Sequence, residues 1–169
     1  MRGRTIISSD GVIQFNRILD ELKSSINDLM NIADNMIPEE VINNGIKDYI
    51  TKTCKALTDN DLKINIEISQ EFEGLHENIT INVYKVFRSL VHYLVNYTEA
   101  TEISFIFSIY ANTIKIQVID DGKNFNLSAL SYPGIDYLAE IKSIIEKMGG
   151  NFSILRNNDK NETNITIPL

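Results

Sequence analysis

The sequence predicts an α+β domain with helices layered on a mostly antiparallel sheet. The hydrophobic period changes along the chain, from helical spacing before about residue 58 to strict alternation from Leu62 onward. The elements read in the order α-α-β-α-β-β-α-β-β, which mixes strands and helices instead of segregating them. With 169 residues and 43% hydrophobic side chains, the chain is long enough to bury one core.

Phe15 to Met36 carries the first helical pattern. Leu22, Ile26, Leu29, Ala33 and Met36 step by four, three, four and three, an a/d seam with Asp10 as its N-cap. Two readings stay open for this seam: packing against its own domain, or helix–helix association. Pro38 ends the helix, and Glu39 to Leu57 reads as a second, shorter one. Leu62, Ile64, Ile66 and Ile68 alternate with polar residues as a half-buried strand. Asn78 to Tyr97 returns to helix, with Val83, Phe87, Leu90, Val91 and Leu94 on its apolar face. Glu102 to Tyr110 and Thr113 to Ile119 form strands joined by Ala111-Asn112, a hairpin length. Asp120 to Pro133 is loop-like. Ile135 to Met148 is helical and stops at Gly149-Gly150, a C-cap signal. Phe152 to Leu155 and Asn164 to Leu169 are the last strands. The division expected is a helical arm over 1–58 and an α/β domain over 59–169.

The net charge of −7 and pI near 4.8 argue against nucleic-acid binding, which needs a basic face to neutralise phosphate. The single cysteine, Cys54, excludes an internal disulfide and a Cys-based metal cluster; it is expected to be inert on a helix surface or in the core. Two histidines, His76 and His92, make a transition-metal site a poor expectation. No apolar run reaches the roughly 20 residues of a membrane span, and Thr5 to Asn16 holds no signal-peptide core. A cytoplasmic location is expected. There is no P-loop, Ser/His/Asp order or metal-ligand spacing.

Four blocks in order resemble the ATPase part of bacterial sensor histidine kinases of the GHKL superfamily, in the branch that pairs with LuxR-type response regulators. The first is Ile32-Ala33-Asp34-Asn35-Met36-Ile37-Pro38 followed by Gly45-Ile46, similar to the entry from the dimerisation helix into the catalytic domain. The second, Tyr84 to Ile103, resembles the N-box helix. The third, Asp120-Asp121-Gly122-Lys123-Asn124-Phe125, resembles D-x-G-x-G-F. The fourth runs from Gly134-Ile135 through Met148-Gly149-Gly150 to Ile167-Pro168-Leu169. The resemblance implies a two-layer α/β sandwich of the histidine-kinase ATPase (Bergerat) type, preceded by a dimerisation-type helix.

The resemblance also marks where ligand residues depart from the family. Ser89 and Tyr93 stand where the family has the Glu and the Mg²⁺-binding Asn of the N-box. A face of neutral hydroxyls suits a hard cation poorly. Asn96 or Asp121 is the substitute metal ligand to consider. Asp120 and Gly122 match the adenine-binding turn, but Asn124 replaces its second glycine. Gly134 opens the phosphate segment, whose second glycine is lost, and Asp136 brings negative charge there. Asp120, Gly122, Gly134, Ser89 and Tyr93 therefore outline a vestigial nucleotide pocket. His92 is expected to be a partly buried structural histidine and His76 an exposed one; no phosphoacceptor histidine precedes the first helix.

The function implied is a non-catalytic, degenerate kinase-like protein acting by contact in two-component signalling, with no cofactor. Its partner is expected to be a response regulator, a sensor kinase or a second copy held through Leu22, Ile26, Leu29 and Met36. The opposing expectations are a kinase fragment binding ATP-Mg, or a histidine phosphotransferase on a degenerate kinase fold.

Overall fold

A computed structural model of the chain describes residues 14, 15, 17–19, 21, 22, 37–59, 61–123 and 135–169. The chain divides into two units, Met1–Ile37 and Pro38–Leu169.

In the first unit the described residues between 14 and 22 are helical. Arg17 pairs with Glu21 one turn on, at 2.9 Å. Phe15, Ile18, Leu19 and Leu22 fall at i, i+3, i+4 and i+7 and are all exposed, Leu22 at 56%. Ile26, Leu29, Ala33 and Met36, the rest of the expected seam, lie outside the described residues.

The second unit holds α1 (Glu39–Asn44), α2 (Ile46–Leu57), β1 (Lys63–Ile68), a 3-10 turn (Gln70–Gly74), α3 (Glu77–Tyr97), β2 (Glu102–Tyr110), β3 (Thr113–Asp120), α4 (Ile135–Lys147), β4 (Asn151–Asn157) and β5 (Lys160–Pro168). The expected single helix over Glu39 to Leu57 is two. Gly45 sits at φ +82°, a conformation that interrupts helical hydrogen bonding and suits a residue without Cβ. The connection after β1 contains the 3-10 turn, which drives Phe72 into the core against Phe107 at 5.7 Å.

The five strands form one sheet in the order β1-β2-β3-β5-β4. β1 runs parallel to β2, with α3 as the crossover between them; the other pairs are antiparallel. The last two strands extend beyond the stretches expected from hydrophobicity, because polar residues such as Asn161 and Glu162 also join the ladder.

One sheet face carries Ile103, Phe105, Phe107, Ile114, Ile116, Val118, Ile165 and Ile167, all buried. Against it lie Ile50 and Cys54 of α2, Val83, Phe87 and Leu90 of α3, and Ile141 and Ile145 of α4. Phe87 meets Phe105 and Phe107 edge-on at 5.6 and 6.1 Å, a favoured aromatic geometry. The opposite face is polar: Gln117 and Asn164 both donate to Glu162, at 2.7 and 2.9 Å. α4 ends at Gly149 and Gly150, whose amides bond back to Glu146 and Ile145.

Candidate functional site

The ends of β3, β4 and β5 build the first half of the site. Asp120 is the last residue of β3 and stands directly opposite Asn161 on β5. Its alternation phase turns it to the helix-covered face, so it is buried to 3% exposure. Asn161 Nδ2 donates to Asp120 Oδ1 at 2.8 Å and to the Gly122 carbonyl at 2.9 Å. The Gly122 amide donates to the same carboxylate oxygen at 2.9 Å. Arg156, opposite Asn161 on β4, donates to its side-chain oxygen and to the carbonyls of Gly122 and Lys123, at 3.3–3.4 Å. Burial pushes the Asp120 carboxyl above its ordinary value, against the hydrogen bonds from Asn161 and Gly122.

Gly122 is fixed by close approach. A Cβ there would lie 2.6 Å from Thr98 Cβ and 2.7 Å from the Thr98 carbonyl oxygen. Thr98 is itself buried at the end of α3, donating to Leu94 O at 2.7 Å and accepting from the Lys123 amide through its own carbonyl. The turn after β3 is therefore moulded onto the C-terminus of α3.

Asp121 faces a different task. Its carboxylate accepts from the Thr101 amide, the Thr101 hydroxyl and the Glu102 amide, at 2.6–2.9 Å. Burial works upward on this group, but these hydrogen bonds outweigh it and hold it below the usual carboxylate value. Asn96 is exposed, with its amide bonded to the His92 carbonyl one turn back. Among the described residues no group of three or more His, Cys, Asp or Glu is placed to hold a metal.

The second half lies between α3 and α4. Ser89, Tyr93 and Tyr97 recur every four residues and so share one side of α3. Ser89 and Tyr93 are buried there, at 7% and 4% exposure. Ser89 Oγ donates to Glu140 Oε2 of α4 at 2.9 Å. The Tyr93 and Tyr97 rings stack at 6.4 Å, and Tyr137 of α4 lies 5.8 Å from Tyr97. Tyr137 also stacks on His92 at 4.2 Å with the planes 22° apart. α4 thus meets α3 through Ser89, at one of the two positions where the N-box resemblance places nucleotide ligands, and Tyr93 at the other is buried beside Tyr97. Asp136 is exposed in the first turn of α4.

Gly134 and Asn124 lie outside the described residues. His92 is exposed instead of partly buried: it sits at the edge of the α3–α4 seam, where its ring stacks on Tyr137 and lies 6.0 Å from Tyr97. His76 is exposed and caps nothing with its side chain. Cys54 is buried, and loss of solvation raises its thiol to about 11. Glu140, Asn161 and Arg156 escaped the sequence reading because their roles depend on cross-strand register and helix pairing.

No protein-family model matches the sequence, and no curated protein matches it. Solved structures do. The chain is similar to the histidine kinase domain of the blue-light activated histidine kinase of Erythrobacter litoralis (TM-score 0.60, 12% identity, covering 73% of this chain and 61% of that one). It is similar to the Acinetobacter baumannii histidine kinase AdeS (TM-score 0.59, 11% identity, 99% and 86% covered). It is also similar to the catalytic domain of histidine kinase ThkA (TM-score 0.54, 13% identity, 73% and 87% covered). The chain therefore spans less than two thirds of the first of these structures. The likeness establishes the fold: this is the α+β sandwich of histidine-kinase ATPase domains. Among the described residues no helix is long and apolar enough to cross a membrane.

Proposed function

We propose that this chain is a degenerate histidine-kinase-like signalling protein that works in the cytoplasm by protein contact in a two-component pathway, without transferring phosphoryl groups. The observation that carries this is the filled α3–α4 seam. Ser89 is bonded to Glu140 and Tyr93 is buried beside Tyr97, where nucleotide ligands stand in the resembling family. Tyrosine supplies a bulky ring and a neutral hydroxyl, neither of which replaces a carbonyl or carboxylate oxygen toward Mg²⁺.

The contact surface is the helical arm. Leu22 and its helical neighbours Phe15 and Ile18 are exposed by more than half, and burying each such side chain is worth about 1.5–3 kcal/mol. Leu22, Ile26, Leu29 and Met36 form the stripe that pairs with a second copy, and the partner beyond it is a response regulator or a sensor kinase. The test is light scattering and pull-down against receiver domains and kinases, with Ile26→Asp and Leu29→Asp combined. Loss of oligomer mass or of capture, with an unchanged circular dichroism spectrum, supports the proposal. A wild-type monomer that captures neither class of partner overturns it.

A second reading has its own observation. Asp120 and Gly122 match the adenine-binding turn of the resembling family, and the Asp120 carboxylate is buried and accepts from the Gly122 amide and from Asn161. An ATP-binding kinase fragment would use that corner, with Glu140 supplying the carboxylate that position 89 lacks.

A further inference from the structure

The sheet ends on β1, which pairs with β2 alone. The Lys63 amide donates to the Thr101 carbonyl, and the Ser69 amide, just past the strand, to the Phe107 carbonyl. Odd-numbered residues of β1 therefore turn their backbone groups to β2, and Ile64, Ile66 and Ile68 turn theirs outward. Among the described residues nothing hydrogen-bonds to the outward groups of Ile64 and Ile66. The core is cut short at the same place. Ile103, Phe105 and Phe107 of β2 are 1% exposed, whereas Ile64, Ile66 and Ile68 beside them on the same face are only half-buried.

Charge normally blunts a free edge, but the charges of β1 are self-complementary. The strand reads Lys-Ile-Asn-Ile-Glu over 63–67, a pattern centred on Asn65. Laid antiparallel on a second copy with Asn65 opposite Asn65, Lys63 falls opposite Glu67 and Ile64 opposite Ile66, and the two-fold axis repeats both pairs. The side chains agree in phase: the isoleucines stay on the helix-covered face and the charges on the open one. The backbone agrees too, because Ile64 and Ile66, with outward groups, become the hydrogen-bonded pairs. Glu67 is exposed and has no ion-pair partner among the described residues. Lys63 meets Glu102 at 3.2 Å, but its side chain is 67% exposed and an ammonium has three donors. The ladder stops at Leu62, whose amide and carbonyl are both bonded to Asp59, at 2.8 and 3.0 Å. Ile68, which falls opposite Leu62, is therefore left out. A register centred on Ile66 instead sets Glu67 against Asn65 and leaves Lys63 opposite Ser69, with no carboxylate.

We propose that β1 is a self-association edge: two copies of this chain join β1 to β1, antiparallel and in register about Asn65, into one continuous sheet. Charge complementarity sets the register, and the half-buried isoleucines gain cover. The surface belongs to the second unit, so it goes beyond the contact of the helical arm in the first. The strand is short, so the dimer is a weak one.

The test uses the full chain, as wild type and with Ile26→Asp and Leu29→Asp combined, which separates any association through the arm. Sedimentation velocity at about 0.15 M salt, where net-charge repulsion is screened, follows the mass from about 10 μM to about 1 mM protein. The arm variant should be monomeric at the low end and dimeric at the high end. Over the same range, hydrogen exchange of the Ile64 and Ile66 amides should slow about tenfold, while the Ile68 amide keeps its rate. Glu67→Lys and Lys63→Glu, each added to the arm variant, should weaken self-association about tenfold, and an equal mixture of the two should dimerise again. Ile66→Pro removes a donor that no bond within the chain uses and should abolish the dimer. The proposal is overturned if the arm variant stays monomeric to about 1 mM, if it dimerises without slowing Ile64 and Ile66, if Ile68 slows with them, or if the mixed charge variants associate no better than either alone. Should Ile66→Pro unfold, the exchange rates and the charge variants decide. Failure of the arm reading alone shows as equal masses for wild type and arm variant, and these readouts still decide the edge.

Discussion

Ser89 on α3 donates its hydroxyl to Glu140 on α4, 2.9 Å away. The bond crosses between two helices that contribute to one core, and it sits on the same side of α3 as Tyr93 and Tyr97. With the Tyr137 ring stacked on His92 at 4.2 Å, it makes the α3–α4 seam a packed junction.

Tyr137→Ala should therefore loosen the seam. Losing the stack on His92 and the contact to Tyr97 removes aromatic pairs worth about 0.5–1.5 kcal/mol each beyond area burial. Urea denaturation should show a loss of about 1–2 kcal/mol. An unchanged midpoint would show that the Tyr137 ring adds nothing to what Leu138, Ile141, Ile145 and the Ser89–Glu140 bond already supply.

Gly122→Ala should be costly for a different reason. The added methyl would press on Thr98 Cβ and on the Thr98 carbonyl oxygen, a backbone atom that cannot rotate away. Overpacking of this kind costs about 1–3 kcal/mol. Thermal melting of the variant checks it, and Gly74→Ala, where a Cβ meets nothing within 4 Å, is the control.

Asp121 gives a pH signature. Its carboxylate is held below the usual value, so its contribution to stability is complete above the unfolded value near 3.9 and is lost as pH falls through the lowered folded value. Asp121→Ala should cost about 1–2 kcal/mol at neutral pH, and the gap to wild type should close below about pH 4. Asp120 acts with the opposite sign: its raised carboxyl favours the folded state as pH falls. The comparison is therefore variant against wild type at each pH, by urea titration.

Cys54 should be silent. With its thiol raised to about 11 and its side chain buried at 1% exposure, it should not react with a disulfide reagent at neutral pH until the chain unfolds. Rapid labelling of the native protein would contradict the core placement.

The alternation of Leu62, Ile64, Ile66 and Ile68 and the Ala111-Asn112 turn made the strands legible in the sequence, because period-2 burial leaves a direct trace. Gly122 was legible through its motif, and its contact with Thr98 explains why glycine is required. The break at Gly45 was hidden because the apolar spacing on its two sides is helical, and a single φ of +82° leaves no periodic signal. Asn161 and Arg156 were invisible for a related reason. Their meaning comes from standing in register with Asp120 across β3, β5 and β4, and register is decided by the folded sheet. His92 was misplaced because its helix position lies between the core side and the open side of α3, a boundary that α4 settles.

The most direct test of the account is a calorimetric titration of the chain with ATP and Mg²⁺. Losing a few charge-assisted contacts at about 1.5–3 kcal/mol each is enough to erase a micromolar affinity, so no Mg²⁺-dependent heat of binding is expected at micromolar protein. Mg²⁺-dependent binding of ATP with a micromolar Kd, lost in Asp120→Ala or Glu140→Ala, would contradict the account and favour a nucleotide-binding kinase domain.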